Sequence, residues 1–129
     1  MEQIILDSDI LIDHLRRYPP AGRYLEELKQ QYSLALSVFT VFEIQVGTRP
    51  HQEEALNVLL QGFDLLATTP AIARQAGRYY QLHQASGMDE GDAIIAATAV
   101  HHHARLISGN AKHYPMQDLS LTVPPYRLK

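Results

Sequence analysis

No cysteine occurs in the 129-residue sequence, which excludes disulfide staples and thiolate metal sites and leaves only oxygen-rich chemistry open to a hard metal. No apolar run approaches the length of a membrane span, so no membrane association is expected. The opening residues lack a basic stretch followed by a long apolar one, so no signal peptide is expected and the predicted location is cytoplasmic. Internal repeats, low-complexity tracts and linker-like segments are also missing, which predicts one domain over residues 1–129. Nor is there an excess of positive charge: the formal net charge of −3 does not advertise nucleic-acid binding. It does not forbid it either, because the shape of a local field counts for more than the total. Arg16, Arg17, Arg49, Lys112 and Arg127 could form a phosphate-attracting rim around a charge-neutralised acidic site.

What is present is a chain with 46% apolar and 19% charged residues, enough to bury a single core and too apolar to be disordered. Strand and helix patterns alternate. Gln3–Leu6 reads as a short buried strand and Ser8–Arg17 as a helix stopped by Pro19 and Pro20. Ala21, Leu25, Leu28 and Tyr32 recur at helical spacing. Leu34–Leu36 is a strand, after which Ser37 can cap a helix reaching Gly47. A helix over 51–60 and a strand over 63–67 follow. Beyond Pro70, residues Ile72, Ala76, Tyr79 and His83 mark one face of a long helix ended by Gly87. Residues 93–100 are apolar nearly all round, as in a buried helix. Residues 106–107 and 121–123 make two last strands, the final one placed at an edge by Pro124 and Pro125. Strands separated by helices imply an α/β fold: a central, mainly parallel sheet of four to five short strands with helices on both faces.

Ligands of such sheets sit beyond the carboxyl ends of the strands. That rule singles out Asp7, in "LDSDILID", and Ser108 and Asn110, in "LISGNAKHYPM". A carboxylate at the end of a buried strand is expensive without a partner, so Asp7 either caps the next helix or holds a cation. Glu43 borders the apolar stripe of its helix, as a boundary residue or a ligand would. Asp92, in "MDEGDAIIAATAV", can pair with Asp89 in a capping box or reach the same sheet edge as a ligand. The three consecutive histidines at 101–103 point about 100° apart on a helix and cannot converge on one ion; a solvated helix end suits them better. His14 and His113 are expected at the surface, and Tyr79 and Tyr80 in the core or an interface.

Four segments, "LDSDILIDHL", "SVFTVFEIQVG", "DEGDAIIAATAV" and "LISGNAKHYPM", stand in the order and context of the PIN domain. The chain resembles in particular the VapC ribonuclease toxins of type II toxin–antitoxin pairs, from Ile4 to about Val123. The resemblance implies a PIN-like α/β/α sandwich that binds Mg2+, or Mn2+ in its place, and hydrolyses RNA phosphodiester bonds. It carries catalytic roles onto Asp7, Glu43, Asp92 and Asn110, with Asp7, Asp92 and Glu43 as metal ligands and Ser8, Asp9 and Ser108 in support. Asn110 supplies a neutral oxygen where a fourth acid could stand, and Asp9 replaces the usual Asn, either adding charge or capping the first helix. RNA contacts fall on Arg16, Arg17 and Lys112. A cognate antitoxin and a homodimer are the implied partners. Two other readings compete: a PIN-like module that binds RNA or protein without cutting, and a phosphatase of the haloacid-dehalogenase type. "DSD" after a strand suggests the latter, but "DILID" lacks the glycine-containing turn that fold expects.

Overall fold

The computed structural model describes residues 1–127. Its five strands are β1 (Gln3–Leu6), β2 (Ser33–Ser37), β3 (Asp64–Leu66), β4 (Arg105–Ile107) and β5 (Leu121–Thr122). They lie in the order β3-β2-β1-β4-β5, and every pairing is parallel. Parallel neighbours need long crossovers, and helices supply them. Between β1 and β2 run α1 (Ser8–Leu15) and α2 (Pro19–Gln31). Between β2 and β3 run α3 (Val38–Val46) and α4 (Glu53–Leu60). The return across the sheet to β4 uses α5 (Pro70–His83) and α6 (Glu90–His101).

Side-chain alternation along β1 builds two cores. Ile4 and Leu6 pack with Ile10 of α1, Leu25 of α2 and Leu56 of α4, whereas Ile5 points the other way, toward Ile72 of α5 and Ile95 of α6. β4 divides likewise, with Leu106 in the α5–α6 layer and Ile107 in the opposite one. The result is the expected α/β/α sandwich, with five strands. The apolar all-round pattern of α6 has its cause here, for the helix is covered by the sheet, α5 and α3. Each fully buried Ile or Leu contributes about 1.5–3 kcal/mol.

Element ends differ from expectation where turn chemistry intervenes. α1 stops at Leu15, because Arg17 takes a left-handed backbone (φ 62°) and Tyr18 N–H donates back to the Asp13 carbonyl at 3.1 Å. A side chain in that conformation costs about 1–2 kcal/mol relative to glycine. Pro19 and Pro20, read as a stop signal, open α2 instead: proline suits the first turn, whose N–H groups lack partners anyway. The helix expected over 51–60 begins with a 3₁₀ turn (Pro50–Gln52) before α4. The last strand is two residues long, at the sheet edge.

One close approach decides how the upper edge is assembled. Gly91, in the first turn of α6, lies so near the Phe39 ring of α3 that a Cβ there would collide with it. Phe39 stands one helical turn before Glu43, and Gly91 directly before Asp92, so this contact draws the two acids together. Gly91→Ala is expected to lower stability by about 1–3 kcal/mol in urea denaturation, despite the better helix propensity of alanine.

Candidate active site

β1 and β4 part company at the switch point of the sheet, since the chain winds outward from β1 in one direction and returns to β4 on the other side. Asp7 and Ser108 follow these two strands directly and meet across the gap. The Asp7 backbone N–H donates to the Ile107 carbonyl at 2.9 Å, and the Ser108 hydroxyl donates to Asp7 Oδ2 at 2.8 Å. Asp7 is also the N-cap of α1, its Oδ1 accepting the Ser8 N–H at 2.8 Å. With a second donor on Oδ2, the Tyr114 hydroxyl at 2.7 Å, the side chain is held although it is only 4% exposed. Both readings of Asp7 left open by the sequence therefore start from one geometry: it caps, and it keeps a lone pair of Oδ1 free.

Asp92 is placed by the capping box at the head of α6. Its N–H donates to Asp89 Oδ1 at 2.7 Å while its own Oδ2 accepts the Asp89 N–H at 3.0 Å. The turn after β4 grips its outer side. Tyr114 Oη lies 3.3 Å from Asp92 Oδ1, and His113 Nδ1 lies 3.3 Å from Oδ2. Burial pushes the Asp92 carboxyl up to about 6; Asp89 and Asp7 push the same way, and the Asp89 N–H and His113 oppose them.

Glu43 comes from the third direction, on α3. Its Oε1 is buried and has no hydrogen-bond partner. Burial, followed by the charges of Asp7, Asp89 and Asp92, raises the carboxyl to about 7, with the Ser8 hydroxyl partly offsetting the rise. A buried carboxylate oxygen without a partner, near other acids, is destabilising by itself. Asp9 sits beside them, and it is not the cap of α1, a position Asp7 holds. Its Oδ2 accepts the Gly109 N–H at 2.7 Å and its Oδ1 the Ile10 N–H at 2.9 Å. Burial and Asp7 lift Asp9 to about 6. Arg127 Nη1 approaches it at 3.9 Å.

Asn110 reaches the same edge through its backbone: its N–H donates to Ser108 Oγ at 3.0 Å, and among the described residues its side chain makes no hydrogen bond. Arg16 and Arg17 are exposed at the end of α1, and Lys112 is exposed on the 3₁₀ turn Ala111–His113. His101, His102 and His103 are exposed at the end of α6. Tyr79 is buried and donates its hydroxyl to Asp118 at 2.6 Å.

His113, expected at the surface, instead lies against Asp92, and Tyr114 is the residue sequence reasoning passed over. Tyr114 sits four residues beyond Asn110, and an aromatic there reads as core. Only its hydroxyl distinguishes Tyr114 from a core phenylalanine. Burial, then the charges of Asp7 and Asp92, hold that hydroxyl far above the usual phenol range, so it stays a donor.

A divalent cation suits this donor set. Hard cations take carboxylate oxygens, and the buried Glu43 Oε1 has no other counter-charge. As the side chains stand, no three acidic or histidine residues among those described close to chelating distance, and the Tyr114 hydroxyl lies between the two aspartates.

A doubly wound parallel sheet with acids from three elements near its switch point defines a class of fold, and comparisons agree with that fold. The PIN domain family model matches residues 4–118. Ribonuclease VapC19 of Mycobacterium tuberculosis is 36% identical over 126 residues, covering 95% of this chain and 98% of that protein. Ribonuclease VapC10 of the same organism is 37% identical over 88% of this chain and 86% of its own. The chain belongs to the PIN domain family. Among solved structures, VapBC2 from Rickettsia felis bound to a promoter DNA fragment superposes with a TM-score of 0.81 at 19% identity, over 94% of this chain and 98% of that one. A toxin–antitoxin complex from Klebsiella pneumoniae gives 0.76 at 28% identity, over 94% and 97%.

The acid repulsion makes the metal-free protein sensitive to pH. Glu43 and Asp92 titrate higher folded than unfolded, so their contribution to stability is present below the ordinary carboxylate range and is lost as pH rises through about 6 and 7. In chelator, the Tm should fall between about pH 5 and pH 8, and Glu43→Gln should flatten that fall and raise the Tm at the alkaline end. Tyr114→Phe keeps the ring but removes the hydroxyl that donates to Asp7 and lies near Asp92, and is expected to cost about 1–2 kcal/mol in chemical denaturation.

Proposed function

We propose that this protein is a divalent-metal-dependent endoribonuclease, the toxin of a toxin–antitoxin pair. The observation that carries the reading is the buried, unpartnered Glu43 Oε1 facing Asp7 and Asp92, three acids delivered by three elements to one sheet edge. The curated relatives are named ribonucleases and the matched solved structures include toxin–antitoxin complexes, which supports RNA as substrate and an antitoxin as partner. The family match leaves no support for a haloacid-dehalogenase-type phosphatase.

In this reading Asp7, Asp92 and Glu43 would hold the cation, Mg2+ with Mn2+ as a substitute. When bound, such an ion activates water and neutralises charge building on the phosphate. Asp7 Oδ1 accepts only the Ser8 N–H and Asp92 Oδ1 only the longer Tyr114 contact, so each has a lone pair left for it. Ser108 and Tyr114 occupy Asp7 Oδ2, whereas Asp89 and His113 occupy Asp92 Oδ2. Ser108 and Tyr114 fix the Asp7 rotamer, and the capping box fixes Asp92, so the acids are oriented before substrate arrives. Glu43 Oε1 is the oxygen placed to take a proton from an attacking water. Asp9 ties the loop after β4 to α1 through Gly109, which keeps Ser108 and Asn110 at the strand ends. Asn110 presents a neutral amide there, which can hydrogen-bond a phosphate or sugar hydroxyl. An antitoxin and a second copy of the chain complete the assembly in this reading.

The test is cleavage of a mixed RNA pool in Mg2+, Mn2+ or chelator. Cleavage should require the metal, and Asp7→Asn and Glu43→Gln should each lower the rate by about 100-fold or more while the far-ultraviolet spectrum stays unchanged. Equal RNA binding with and without chelator, and no cleavage in any metal, would instead fit a non-cutting binding module. Small phosphate esters should remain intact throughout.

A further inference from the structure

A cleft of about 680 Å³ opens between the end of α1 and the 3₁₀ turn Pro125–Arg127, and nothing in the acid-site chemistry uses it. Its walls are Asp13, Arg16, Arg17, Tyr18, Tyr126 and Arg127. The volume falls within the range of small-molecule sites, roughly 300–1,000 Å³. The charges on these walls are unequal in their freedom. Arg127 is spent inside the protein, its Nε and Nη2 donating to Asp13 Oδ2 at 3.0 and 2.7 Å, with the Tyr126 hydroxyl on the same oxygen at 3.0 Å. Arg16 and Arg17 are exposed, and among the described residues neither forms an ion pair. The cleft therefore presents two uncommitted guanidinium groups to solvent.

Two aromatic rings stand beside them. Tyr126 is braced by Tyr24 edge-on at 6.0 Å and meets Tyr18 at 5.7 Å with a 56° tilt, and Tyr18 is 41% exposed. Guanidinium groups next to an exposed aromatic face suit a phosphate followed by an unstacked base, the combination that single-stranded nucleic acid offers. The cleft also connects to the acids. Arg127 spans from Asp13 to Asp9, one helical turn back along α1. The whole of α1, eight residues, separates Asp7 from the arginine pair by roughly 12 Å of helix rise.

Cations at the end of a helix gain from its dipole without any ligand, and that explains Arg16. It does not explain Arg17. That residue holds the left-handed position that closes α1, where glycine is the unstrained choice. Strain retained at a surface position with an uncommitted charge points to use of the side chain. We infer that the cleft is a docking subsite for single-stranded RNA, taking a backbone phosphate on Arg16 and Arg17 and a base against Tyr18. The inference rests on the ribonuclease reading, and names where its substrate lies beyond the acids.

Arg17→Gly separates use from structure because it relieves strain. Its Tm should rise by about 2–5 °C. Binding of a fluorescein-labelled single-stranded RNA, measured by anisotropy on the full chain in chelator, should weaken by about 3–10-fold, with the slope of log Kd against log salt reduced by about one. Arg16→Gln should weaken binding in the same direction, and Tyr18→Ala should weaken it with the salt slope unchanged. In Mg2+, KM for RNA should rise more than kcat falls. A wild type that cuts RNA, together with Arg17→Gly and Tyr18→Ala that bind it as tightly as wild type, overturns the cleft and leaves the ribonuclease reading standing. The same result with weakened binding of an acidic antitoxin segment would reassign the cleft to that partner, and also overturns the proposal. A wild type that neither binds nor cuts RNA removes both.

Discussion

Everything at the upper edge of the sheet depends on the hydrogen bonds that let Asp7 be buried at the end of β1. Three donors from three places converge on one carboxylate: the Ser8 N–H from the start of α1, the Ser108 hydroxyl from the end of β4, and the Tyr114 hydroxyl from the turn beyond. Without them, a charge in that position would be costly enough to displace the strand end or make the carboxylate take up a proton. With them, Asp7 becomes the fixed point against which Glu43 and Asp92 are set. Those two are less well satisfied, and burial first, then the neighbouring acids, raises both carboxyl groups.

Much of this was legible in the chain. β1 is read correctly to the residue because its apolar run is short, continuous and followed at once by a polar cap. Ser37 caps α3 as its position suggests, accepting the Phe39 N–H at 3.1 Å. For Asp92 the sequence left capping and site placement open, and the structure shows that the capping box leaves Oδ1 pointing to the shared edge. Other features were hidden for definite reasons. Pro19 and Pro20 break one helix and begin another equally well, so only the left-handed Arg17 reveals which they do. Tyr114 looks like any core aromatic until its hydroxyl is seen between two carboxylates. The Arg127–Asp13 pairing joins residues 114 positions apart, and no local pattern announces it.

The same edge is held together by small parts. Gly91 admits the Phe39 ring, and Gly109 admits Asp9, whose Oδ2 would touch any added Cβ. Both glycines work by what they omit. Gly91 directly precedes Asp92 and Gly109 directly follows Ser108, so both close approaches lie beside site residues. Packing and site geometry are thus one constraint at these two positions.

The ladder that joins β1 to β4 spans nearly the whole polypeptide: Ser108 lies 101 residues from Asp7, and Tyr114 lies 107. The Ser8 N–H is the immediate neighbour of Asp7, but the two hydroxyl donors come more than a hundred residues later. Loop closure over such a distance comes late in folding. Helices and turns that form locally therefore leave the acid site incomplete until β1 and β4 have paired.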